Sequence, residues 1–145
     1  TEEASQETLF KYLVLHELFK ANRLLLIESE VNWTREFHGL LAQGYFAVEE
    51  YRKSYILAKN LQGTTPDPVD KIKWQWLTAR CAFFLNSKDA EDQLDKLAKY
   101  SSNLKIRIGC YYFLGRLALE SEDPQSAIKL FESGIQLYED PGQAV

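Results

Sequence analysis

Apolar residues recur along the chain at spacings of three and four. Leu9, Phe10, Leu13, Val14 and Leu18 open the pattern, and similar stripes follow in each later segment. No sustained alternation with a period of two competes with it, so the chain reads as helical throughout. Breakers are sparse and fall between the stripes. The clearest is Gly63-Thr64-Thr65-Pro66-Asp67-Pro68; the others are Asn86-Ser87-Lys88-Asp89, Ser101-Ser102-Asn103, Ser121-Glu122-Asp123-Pro124 and Asp140-Pro141-Gly142. Asp67-Pro68 and Asp123-Pro124 each read as a helix start. The Asp side chain accepts from a free first-turn amide, and Pro suits the first helical position, where its missing N–H costs nothing. The pattern predicts helices over about 7–17, 20–31, 34–47, 50–62, 69–86, 88–100, 103–121 and 124–139. No strong breaker separates the first two, and they also read as one continuous helix.

Short helices joined by short loops call for a search for internal repeats. Leu41, Leu77 and Leu114 align. Three residues before them stand His38, Trp74 and Tyr111, and directly after them Ala42, Thr78 and Gly115. Four after come Tyr45, Cys81 and Ala118; thirteen after, Ser54, Ala90 and Ala127. Seventeen after come Ala58, Leu94 and Phe131; twenty after, Leu61, Leu97 and Gly134. The copies are 36 and 37 residues apart.

This pattern resembles the tetratricopeptide (TPR) repeat, whose period is about 34 residues. Tyr111 through Gly134 is the best match; the first copy departs at His38 and Ala58, the middle one at Cys81 and Leu94. The resemblance implies an all-α fold, an α–α superhelix of about three helix pairs over 34–68, 69–104 and 105–141, with a degenerate N-terminal pair at 7–33. In such repeats the small residue lets paired helices approach, aromatics fill the space to the next pair, and neighbours stack because one pair cannot bury its own face. More distantly, Leu41-Ala42-Gln43-Gly44-Tyr45-Phe46 followed by Trp76-Leu77-Thr78-Ala79-Arg80-Cys81 resembles the N-terminal halves of TPR scaffold subunits of the anaphase-promoting complex. That resemblance implies homodimerisation and a place in a ubiquitin-ligase assembly.

In this register the first helices of the pairs line a groove through Glu36, Gly39, Gln43, Phe46, Ile72, Gln75, Ala79, Phe83, Gly109, Tyr112 and Arg116. Gln43, Phe46, Gln75, Phe83, Tyr112 and Arg116 are the candidate partner-binding residues, a mixture of hydrogen-bonding and apolar groups suited to an extended peptide or a helix. The alternative is that they merely cover the neighbouring pair. A clamp for a chaperone's C-terminal carboxylate is disfavoured, because Gly39, Gln43, Gly109 and Phe113 occupy its positions. A second candidate surface is the N-terminal segment. Leu9, Phe10, Leu13, Val14, Leu24 and Ile27 supply more apolar surface than one short pair can bury, and suggest self-association.

The composition fits a folded chain: 145 residues, 46% hydrophobic and 13% aromatic, with seven Gly and four Pro. A net charge of -4 without a basic stripe disfavours nucleic acid. No segment approaches 18 apolar residues, so no membrane-spanning helix is expected, and cytoplasm or nucleus is the expected location. The chain begins at Thr1, contains no Met, and has no polar capping helix after Tyr138; it reads as a piece of a longer protein. His16 and His38 lack metal-ligand spacing, and Cys81 and Cys110 form no C-x-x-C pair. No nucleophile-elbow, phosphate-loop or dinucleotide motif occurs. The expectation is a non-catalytic protein without metal or cofactor that binds protein or peptide. A regulatory sensor domain belonging to a larger protein is a third reading.

Overall fold

A computed structural model describes residues 31–144 together with Gln6, Leu9, Leu13 and Val14. Six α-helices follow one another: α1 Val31–Ala47, α2 Tyr51–Thr64, α3 Pro68–Phe84, α4 Ala90–Tyr100, α5 Leu104–Glu120 and α6 Pro124–Glu139, then a 3-10 turn over Pro141–Ala144. There is no strand among the described residues. The protein is all-α; α1 packs on α2 and α2 on α3, and α4 packs on α5 and α5 on α6. The expected helices over 7–17 and 20–31 lie outside the described residues, apart from Leu9, Leu13 and Val14, which are helical, and Val31, which opens α1.

The starts of α3, α5 and α6 follow from the side chains that precede them. Asp67 accepts from Val69 N–H at 3.0 Å, and Pro68 opens α3. Asp123 accepts from Ser126 N–H at 3.1 Å, and Pro124 opens α6. Asn103 caps α5 in the same way, accepting from Ile106 N–H at 3.1 Å. Helix α2 runs past the expected end at 62 to Thr64, whose hydroxyl donates to Asn60 O at 3.0 Å.

The first helices of the three expected pairs, α1, α3 and α5, are each followed by a left-handed residue: Glu49 (φ 65), Asn86 (φ 55) and Glu122 (φ 59). After α1, Glu50 N–H donates to Tyr45 O at 2.9 Å; after α5, Asp123 N–H donates to Ala118 O at 2.9 Å. These six-to-one bonds are those of a Schellman cap, which usually places Gly at the left-handed position. Tyr45 and Ala118 hold equivalent positions in the repeat alignment, so backbone and sequence share one register.

The chain divides into two compact units, Thr1–Leu85 and Asn86–Val145, with the boundary inside the expected repeat at 69–104. In the first, α2 packs against both α1 and α3. Ala42, Ala58, Leu61, Trp74, Leu77 and Cys81 form its buried core, and Phe37 and Leu41 form a second cluster. A Cβ at Gly39 would lie 2.6 Å from the Trp74 ring, so only Gly lets that ring seat on α1. Ser54 is fully buried and satisfied, its hydroxyl donating to Ala42 O at 2.8 Å. In the second unit, α5 packs against α4 and α6. Arg107 Nε donates to Ala98 O at 2.7 Å, placing a cation at the carbonyl end of α4.

Every position of the repeat alignment is buried or half-buried. Leu41, Leu77 and Leu114 are at most 7% exposed, and Ser54, Ala90 and Ala127 at most 1%. Gly115 is small for a visible reason: a Cβ there would sit 2.3 Å from the Phe131 ring. In the first copy, Ala42 and Ala58 hold these two places and both are fully buried.

Candidate functional site

The six groove candidates fall on three helices and in both units. Gln43 and Phe46 are on α1, Gln75 and Phe83 on α3, and Tyr112 and Arg116 on α5. Gln43, Phe46, Gln75 and Arg116 are half-buried, and Tyr112 is half-exposed. Phe83 differs from the expectation: it is only 5% exposed, so it serves packing and offers no open surface to a ligand.

Phe46 belongs to a cluster that sequence reasoning missed. The Arg80 guanidinium lies 4.7 Å from the Phe46 ring centre and 4.8 Å from that of Trp76. A cation so placed between two ring faces is attracted by both quadrupoles. Arg80 Nε also donates to Trp76 O at 3.4 Å. Tyr51 stacks on Phe84 with centroids 4.6 Å apart and an interplanar angle of 8°, and Phe46 meets both rings edge-on. Burial, and then the Glu49 carboxylate, hold the Tyr51 phenol above its usual range. Trp76 and Arg80 are four apart on α3 and share a face, which the sequence does signal. Phe46, Tyr51 and Phe84 reach them only through the packing of α1, α2 and α3.

In the second unit the Arg116 guanidinium lies 5.8 Å from the Tyr112 ring centre, and Tyr112 is 6.4 Å from Phe131. Tyr112 is half-exposed and so presents an aromatic face beside a cation.

Of the self-association candidates, Leu9 is half-buried, and Leu13 and Val14 are 43% and 42% exposed. Phe10, Leu24 and Ile27 lie outside the described residues, as does His16. His38 is half-buried with its ring 6.0 Å from that of Phe37, a packing environment. Cys81 and Cys110 are fully buried and not joined in a disulfide. Burial pushes the Cys81 thiol above its usual range, opposed by a hydrogen bond with Ser54 and by Arg80. Among the described residues, no group of three or more His, Cys, Asp or Glu could hold a metal ion. Among the same residues, no helix is long and apolar enough to cross a membrane.

The fold thus defines an all-α chain whose helices pack in two sets, α1 to α3 and α4 to α6. No protein-family model, curated protein or solved structure matches it.

Proposed function

We propose that the protein is a non-catalytic, TPR-like scaffold that binds protein and associates with a second copy of itself through its N-terminal segment. One observation carries the scaffold part: the residues that define the repeat in sequence are those the helices bury, with Gly115 against Phe131 and Ala42 against Ser54 at the close approaches. A chain whose core is spent on stacking helix pairs leaves its outer faces for partners. The self-association part rests on Leu13 and Val14, two adjacent aliphatic side chains standing open on a helix. The likeness to ubiquitin-ligase scaffold subunits makes such an assembly the natural context of this reading.

Sedimentation velocity over a concentration series tests it. The weight-average mass should rise from that of one chain, 16.8 kDa, towards twice that value. The L13D/V14D variant should hold it at one chain with unchanged helicity. A single-chain species up to ~1 mM removes self-association, since nothing weaker than that concentration scale would matter.

The half-exposed Tyr112 beside Arg116 favours a second reading, a peptide-binding groove. Replacing Tyr112 and Arg116 with Ala should then abolish peptide capture and leave the fold intact; undiminished capture rules it out.

A further inference from the structure

The second unit holds a cleft of about 430 Å³ that neither reading above uses. Its floor is aliphatic: Leu114 from α5 is 5% exposed, and Leu117 and Leu130 are half-buried beside it. Its rim is acidic. Glu91 and Asp95 stand one turn apart on α4, and Asp123 stands at the start of α6. Lys129 is the one cation in the lining and Lys99 reaches Asp95 from outside it, so three carboxylates meet two ammonium groups. The volume falls within the range of clefts that lodge a ligand, about 300–1,000 Å³.

Asp123 is held in place. One of its oxygens accepts from Ser126 N–H at 3.1 Å and the other from Ser126 Oγ–H at 2.6 Å. A carboxylate offers about four acceptor sites, so two remain for a ligand. Asp95 holds the Lys99 ammonium at 3.0 Å, in an exposed pair that exchanges readily with a competing cation.

We propose that this cleft takes an arginine side chain carried on a partner polypeptide. The aliphatic stem lies on Leu114, Leu117 and Leu130, and the guanidinium lies among the carboxylates of Glu91, Asp95 and Asp123. The complementarity is twofold: an apolar floor suits the stem, and an excess of negative charge at the rim suits the head. Arginine fits better than lysine because its planar fork of donors matches carboxylates two bonds at a time. The proposal goes beyond the scaffold reading. It needs no second copy and no residue of the first unit, so either can fail while the other stands.

Amide chemical-shift titration of the full chain tests it, with acetyl-Leu-Arg-Leu-amide as probe and its citrulline counterpart as the neutral isostere. The arginine peptide should shift the amides of Glu91, Asp95, Leu117 and Ser126 saturably. The citrulline peptide should bind at least about fivefold more weakly, the scale of one or two screened charge contacts. E91Q/D95N should weaken the arginine peptide by a similar factor and leave the citrulline peptide unchanged. K129Q, which removes the competing cation in the lining, should tighten it about two- to fivefold. Equal binding of the two peptides, shifts confined to other residues, or no saturable shift up to ~10 mM overturns the proposal. So does spermidine binding more tightly than the peptide, since the cleft would then be a polyamine site.

Discussion

The close approach of α5 and α6 makes a prediction that opposes the usual rule for glycine in a helix. Replacing a mid-helix Gly with Ala normally stabilises by up to about 1 kcal/mol. At Gly115 the added methyl would stand 2.3, 2.6 and 2.7 Å from three carbons of the Phe131 ring. Real Cβ atoms do not sit so close, so the ring must swing away or the helices must part. Overpacking of this kind costs about 1–3 kcal/mol. Taking the upper half of that range against the helical gain, G115A should destabilise by about 1–2 kcal/mol.

The first copy of the repeat supplies the control. It carries Ala at both places, as Ala42 and Ala58, and buries both fully. F131A alone should cost about 2 kcal/mol, below the 3–5 of a fully buried Phe because this ring is half-buried. In that background G115A should turn into a gain of about 0.5–1 kcal/mol, since the clash is gone and the helical preference remains. A double-mutant cycle should therefore return a coupling of about 2 kcal/mol or more. Urea unfolding followed by far-UV circular dichroism measures it. Tryptophan emission is the internal reference, because Trp33, Trp74 and Trp76 all lie in the first unit. If G115A stabilises the unmodified chain, or the two changes add without coupling, the packing argument for the repeat is wrong.

Three further outcomes follow from the caps and the core. E122G should stabilise by about 1 kcal/mol, because Glu122 holds φ 59 where glycine bears no Cβ penalty; a raised thermal midpoint checks this. Asp123 is held below the usual carboxylate range chiefly by its hydrogen bonds to Ser126. A folded-state value below the unfolded one means the stabilisation is present above the unfolded value and lost as pH falls through the folded one. The stability gap between wild type and D123A should accordingly be full at neutral pH and shrink below about pH 4. Cys81 and Cys110 should resist a thiol reagent in the native state and react in guanidinium, since both are fully buried and burial disfavours the Cys81 thiolate; rapid native labelling of either would contradict the core described here.

The repeat was legible because its signal is periodic and each position has a packing duty. Leu41, Leu77 and Leu114 need only be apolar, and the residue after each need only be small. Asp67-Pro68 and Asp123-Pro124 were legible because a cap is a local event, decided by one side chain and the amides two or three residues on. The Arg80 cluster was not legible, because Phe46, Tyr51 and Phe84 are brought to one place by three helices and carry no local signature. Phe83 misled for a related reason: its spacing predicts a groove face, but its burial depends on what packs over that face.

The turn after each first helix shows the same division in one feature. A left-handed cap normally announces itself as glycine, and here Glu49, Asn86 and Glu122 stand in its place. Two of the three are glutamates with a Cβ that opposes the conformation, so nothing in residue type marks the stop. What enforces it is tertiary: Leu41 and Leu114 are buried one side of it, and Ser54 and Ala127 must be buried on the other. The chain reverses where the next helix has to begin packing, and the backbone accepts the strain that this imposes. The two ends of the loop between α5 and α6 are thus written in different terms. The start of α6, like those of α3 and α5, is specified by a side-chain cap next to it in sequence, and the stops after α1 and α5 by the register of the core on either side.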